Sequence, residues 1–143
     1  MIRQARQDDR ERLLEMGMRF VAETEYRDLI SAKPERIAAT IDHVLGLPDG
    51  VVLVSENGKG VNGMIGLMAY DHPFSGERTA FEVVWWVDPE ARGDGVRLLY
   101  AAEKWALAQG AKAIQMVAPN ERVGNLYARM GYRPVETSYQ RSL

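Results

Sequence analysis

The stretch from Thr79 to Leu99 restricts the fold more than any other part of the chain. An apolar run, Thr79-Ala80-Phe81-Glu82-Val83-Val84-Trp85-Trp86-Val87, enters the breakers Asp88-Pro89-Glu90-Ala91-Arg92-Gly93-Asp94-Gly95, and a helical pattern with Leu98 and Leu99 follows at once. A strand that turns directly into a helix calls for a sheet with that helix laid upon it. Gly93 and Gly95 are expected to give the turn backbone conformations closed to other residues and to bare its N–H groups. The unpaired donors and partial positive charge of a helix N-terminus suit an anion such as a phosphate. Arg92 at the lip would add a donor fork. Such turns also occur as plain connections. G-x-G-x-x-G is absent, which argues against a dinucleotide fold, and the lack of Gly-Lys-Ser/Thr excludes a P-loop.

The rest of the chain supplies the partners for that unit. A short strand at Ile2 to Ala5 precedes a helix opened by Asp8 or Asp9, with Leu13, Met16, Gly17, Phe20 and Val21 on one stripe. Glu23 to Lys33 is polar and irregular. Pro34 starts a second helix whose stripe is Ile37, Ala38, Ile41, Val44 and Leu45, and which stops at Gly46-Leu47-Pro48-Asp49-Gly50. Val51 to Val54 and Val61 to Tyr70 flank Asn57-Gly58-Lys59-Gly60, a hairpin signal. After the loop His72 to Gly76 and the strand from Thr79, the helix Gly95 to Gln109 turns Leu98, Leu99, Ala102, Trp105 and Ala106 inward, with Gly110 as its stop. A strand at Ala113 to Val117 leads through Pro119-Asn120 to a last helix carrying Val123, Leu126, Tyr127 and Met130. Gly131 ends that helix, and Tyr132 to Arg141 has a strand-like pattern. The order is β-α-α-β-β-β-α-β-α-β, an α/β (α+β) chain with a mixed, mostly antiparallel sheet and helices on both faces. With 143 residues and no linker, the reading is a single domain over residues 1–143.

Composition removes several classes of function. The net charge of -2, with Lys and Arg mixed among Asp and Glu, gives no attraction to nucleic acid or to an anionic membrane. With no cysteine, thiolate nucleophiles and zinc–sulfur sites are ruled out. His43 and His72 are far apart and lack companion ligands at metal spacing, so no metal is expected. No signal peptide or membrane span is evident, and a cytoplasmic enzyme or binding domain is expected.

Two motifs in that element order resemble the GNAT N-acetyltransferase superfamily. Val87-x-Pro89-x-x-Arg92-Gly93-x-Gly95, followed by Leu98-Leu99, is similar to the family's acetyl-CoA diphosphate loop. Asn120-x-x-Val123-x-x-Leu126-Tyr127-x-x-x-Gly131-Tyr132 is similar to its signature on the last helix, usually Asn-x-x-Ala-x-x-Leu-Tyr-x-x-x-Gly-Phe. Aligning the leucine pair makes Gly93 and Gly95 the loop glycines and puts Glu90 first, in a loop two residues short. Arg92 or Arg97 would then supply the charge.

The resemblance implies acetyl transfer from acetyl-CoA, as co-substrate, directly to a primary amine in a ternary complex. The other reading kept open is a catalytically silent acyl-CoA-binding or regulatory domain. Pantetheine would lie along the main chain of Trp85 to Val87. The diphosphate would lie at Arg92, Gly93, Asp94, Gly95, Val96 and Arg97, and Asn120 would cap the last helix and reach the cofactor. Such a reaction needs a neutral amine and a protonated leaving thiol. Glu82, the one charge in an apolar strand, is the candidate base, because partial desolvation raises a carboxyl pKa. Strict alternation puts it on the face of Val84 and Trp86. Pairing with Arg78 is its ordinary alternative. Tyr127 is the family's general acid at the sulfur, and its ordinary alternative is core packing. Trp85 and Trp86 point to opposite faces, one into the core and the other toward the acceptor cleft. Glu23, Glu25, Tyr26 and His72 fall in loops that border the acceptor site in the family. The partner expected is a small-molecule or peptide amine, with a homodimer left open and neither nucleic acid nor membrane involved.

Overall fold

The computed structural model describes all 143 residues. The elements are β1 (Ile2–Gln4), α1 (Arg10–Ala22), α2 (Tyr26–Leu29), α3 (Pro34–Gly46), β2 (Gly50–Asn57), β3 (Gly60–Asp71), β4 (Arg78–Val87), α4 (Gly95–Ala108), β5 (Ala113–Gln115) and α5 (Glu121–Arg129). The strands form one sheet in the order β1-β2-β3-β4-β5. Every pairing is antiparallel except β4 with β5, which is parallel. The mixed sheet between helices is therefore as the sequence pattern predicts.

Each face of the sheet takes one apolar stripe. Leu13 and Met16 of α1 and Val44 of α3 pack with Val52, Val54, Met64 and Trp86. On the other face, Leu98 and Ala102 of α4 pack with Val51, Leu53, Ile65 and Leu67. Helix ends follow local chemistry: Pro34 occupies the first turn of α3. The turns after α4 and α5 place Gly110 at φ 77° and Gly131 at φ 90°, where a side chain would be strained.

Three expectations are corrected. The stretch Glu23 to Lys33 contains the short helix α2. Thr24 bridges it to α1, since its hydroxyl donates to the Phe20 carbonyl at 2.7 Å and accepts the Tyr26 N–H at 3.4 Å. Tyr132 to Arg141 forms no strand. Pro134 removes one ladder donor there, and Val135 and Tyr139 stay 67% and 91% exposed with no sheet face to cover them. The third correction concerns the glycine turn. Pro89–Asp94 is a 3-10 helix that runs straight into α4, and neither Gly93 nor Gly95 adopts a positive φ. Gly95 instead sits against the sheet, where a Cβ would lie at ordinary contact distance, 3.4 Å from Trp85 Cζ2 and 3.5 Å from Val87 Cγ2.

Candidate active site

The site grows from two irregularities in β4. Opposite β3, the register steps from Gly66↔Val84 to Leu67↔Glu82, so Val83 is an extra residue and the strand carries a bulge. The bulge reverses the alternation. Val84 and Trp86 face α1 and α3, whereas Glu82 is brought to Tyr127, which stacks on Trp85 with ring centroids 5.8 Å apart. The expectation that Glu82 shares a face with Val84 and Trp86 is thus overturned, and nothing in the run Val83-Val84-Trp85-Trp86-Val87 marks the extra residue.

The second irregularity lies on the β5 side. The parallel ladder pairs only Thr79 to Phe81 with Ala113 to Gln115, and beyond it the strands separate. The next β5-side donor, the Val117 N–H, goes to the Glu82 carboxylate at 3.1 Å rather than to a β4 carbonyl. Tyr127 from α5 closes the arrangement. Its hydroxyl lies 3.3 Å from the same Glu82 oxygen and 3.2 Å from the Val117 carbonyl oxygen. Asn120 sets the start of α5 by accepting the Val123 N–H at 3.0 Å, so its side chain is used as the helix cap.

Burial gives this pair its electrostatics. Desolvation pushes the Glu82 carboxyl up to about 7, against the opposing pull of the Val117 and Tyr127 hydrogen bonds. Burial first, and the Glu82 charge second, hold the Tyr127 hydroxyl above the usual tyrosine range, so it keeps its proton. A carboxyl able to take a proton near neutrality therefore touches a phenol that is protonated at the same pH.

A cavity of about 70 Å³ opens beside the pair. Glu82, Val83 and Trp85 form its floor, Phe20 and Tyr26 come from the α1–α2 side, and Val117, Pro119 and Val123 come from the α5 side. Trp85 is thus the cleft tryptophan and Trp86 the core one. Of the four loop residues singled out, Tyr26 lines the cavity. Glu23 pairs with Arg19 at 3.1 Å, and His72 accepts the Phe74 N–H at 3.2 Å in the β3–β4 loop. Arg78 pairs with Asp49 and Asp71, so it is not the partner of Glu82.

The loop after β4 is anchored from beneath by Asp88, a residue the sequence reading passes over as part of a turn. Its buried carboxylate takes Arg12, Arg19 at 3.0 Å and the Trp86 indole N–H at 3.1 Å. The signal was present: Arg12 and Arg19 are seven residues apart, on one face of α1. Above this anchor, Arg92 and Arg97 are exposed, and Arg97 lies 3.7 Å from Asp94. The Gly95 N–H is donated to the Arg92 carbonyl. The Trp85 indole N–H is buried with no partner, on the side of its ring nearest Gly95. No group of three or more His, Asp or Glu side chains is placed to hold a metal ion.

The five-stranded sheet thus parts between β4 and β5, with a carboxyl and a phenol in the gap. The family profile described as the Acetyltransferase (GNAT) family matches residues 13–132, and the chain belongs to that family. Among solved structures, a transcriptional regulator from Bacillus halodurans aligns over 100% of this chain and 99% of its own at a TM-score of 0.81 and 18% identity. An aminoglycoside antibiotic 6′-N-acetyltransferase from Acinetobacter haemolyticus aligns over 100% and 97%, with a TM-score of 0.77 and 17% identity. A predicted acetyltransferase from Clostridium acetobutylicum, solved with acetyl-CoA, aligns over 99% and 95%, with a TM-score of 0.81 and 15% identity. These likenesses concern the fold. Among curated proteins none matches the chain.

Proposed function

We propose that residues 1–143 form one N-acetyltransferase domain that moves acetyl from acetyl-CoA to a primary amine by direct attack, in the cytoplasm. The observation that carries this reading is the Glu82–Tyr127 contact of 3.3 Å beside the cavity. A silent binding domain would have no use for a carboxyl raised to about 7 and held against a protonated phenol.

The residues present fit acetyl-CoA. Past Phe81, the β5 side of β4 carries no strand, which leaves Val83 to Val87 to run along a pantetheine arm on that side. Gly95 gives α4 a start without a side chain, Trp85 Nε1 is an unpaired donor beside it, and Arg92 and Arg97 flank it. Gly93, Asp94 and Val96 would complete the phosphate turn. When bound, acetyl-CoA supplies a thioester whose acetyl carbon can be attacked by nitrogen.

The chain's own part in the reaction is proton transfer. Both hydrogen bonds to Glu82 fall on Oε2, so Oε1 is left to accept a proton from the amine as its nitrogen bonds to the acetyl carbon. Tyr127 gives its hydroxyl proton to the sulfur as the C–S bond breaks. Glu82 then returns a proton to the Tyr127 oxygen across their contact. The ledger closes on amide and free thiol, with both side chains restored. Tyr127→Phe keeps the stack on Trp85 and removes the donor. It should lower kcat roughly a hundredfold with little change in acetyl-CoA affinity. Full activity in this variant, measured by thiol release, would return Tyr127 to a packing role.

A further inference from the structure

The walls of the cavity restrict which amine can enter it. Six of its eight lining residues are apolar, and the other two are Tyr26 and Glu82. Phe20 and Tyr26 form a tilted pair with centroids 5.4 Å apart, and Val83, Val117, Pro119 and Val123 continue the apolar surface. Glu82 is the one carboxylate in the lining, and Glu23, between Phe20 and Tyr26 in sequence, is tied to Arg19. A second ammonium brought into this cavity would be desolvated with no partner, which is costly. Size adds a further limit. An apolar cavity of about 150 Å³ holds benzene, and this one, at about 70 Å³, has about half that room.

We infer that the acceptor is a small primary monoamine whose nitrogen is carried on a short alkyl segment, and not a polycation such as a polyamine or an aminoglycoside. The inference rests on the acetyl-transfer reading above. It ties substrate choice to Phe20, Val83, Val117 and Val123 rather than to the proton-transfer pair.

The test is thiol release from acetyl-CoA with isobutylamine, putrescine and kanamycin as acceptors, at a pH where Glu82 is ionised. Isobutylamine should be preferred in kcat/KM by roughly tenfold or more, the scale on which one apolar pocket discriminates. Val123→Asp adds a second carboxylate in the first turn of α5, where an acidic residue favours the helix. It should narrow or reverse the preference toward putrescine. Val117→Asp, at a residue 51% exposed on the same side of the cavity, does the same if the first variant fails to fold. Equal or better turnover of putrescine or kanamycin by the parent protein would overturn the monoamine class and leave acetyl transfer standing. Turnover of none of the three would overturn both.

Discussion

Among single residues, Glu82 has an environment far from that of a solvated side chain of its type, a buried carboxyl with its pKa raised to about 7. Its carboxyl releases a proton near 7 in the folded chain, against an ordinary value of 4.5. Between those values the native state binds more protons than the unfolded one, so this group's contribution to stability falls as pH rises through the window. The whole effect is at most on the order of 3 kcal/mol. Asp9, Asp42 and Glu56 act in the opposite sense, because arginine partners hold their carboxyls low, and they lose stability only as pH falls through their lowered values. Comparing Glu82→Gln with the parent cancels those three. The melting temperature of the variant should gain on the parent between about pH 5 and about pH 8, where the parent pays for a buried charge. A constant difference across that range would mean that Glu82 is not desolvated. This residue was legible in the sequence as the one charge of an apolar strand. Its side of the sheet was not, because a bulge at Val83, at the start of the apolar run Val83 to Val87, leaves no compositional mark.

At the scale of elements, helix periodicity and breakers carried most of the information. Pro34, Gly110 and Gly131 mark real boundaries, and Asn120 caps α5 as its position suggests. The pattern misled in two places. A strand-like alternation after Tyr132 has no neighbouring strand to pair with, so propensity alone does not make it a strand. The glycines before α4 suggest a turn in conformations closed to other residues, yet the chain winds through a 3-10 helix and lays Gly95 against Trp85. The start of α4 is also where acetyl-CoA affinity is expected to reside. Gly95→Glu would set a carboxylate at that helix start, against the incoming phosphates. The acetyl-CoA dissociation constant should rise by roughly tenfold or more by calorimetric titration, as expected when like charges meet at a helix N-terminus. An unchanged constant in a variant with native circular dichroism would place the diphosphate elsewhere.

At the scale of the whole molecule, the sheet is what makes a site. Two helices on one face and one on the other pack against β4, the Asp88 cluster with Arg12, Arg19 and Trp86 ties its end to α1, and β5 pairs for three residues before it leaves. The gap that results brings together side chains from β4 and α5, 45 residues apart in sequence. The last-helix motif placed Tyr127 and the apolar strand placed Glu82, but the meeting of the two depends on the bulge and on the parting of the strands, which no local pattern encodes. Their pairing in catalysis is the central claim, and the pH dependence of kcat/KM for amine acetylation tests it most directly. The parent should show an acidic limb with its inflection near 7, where Glu82 ionises. Glu82→Gln should lose that limb and recover partly at high pH, as the amine deprotonates in bulk. A variant profile that matches the parent's in shape and height would contradict the account.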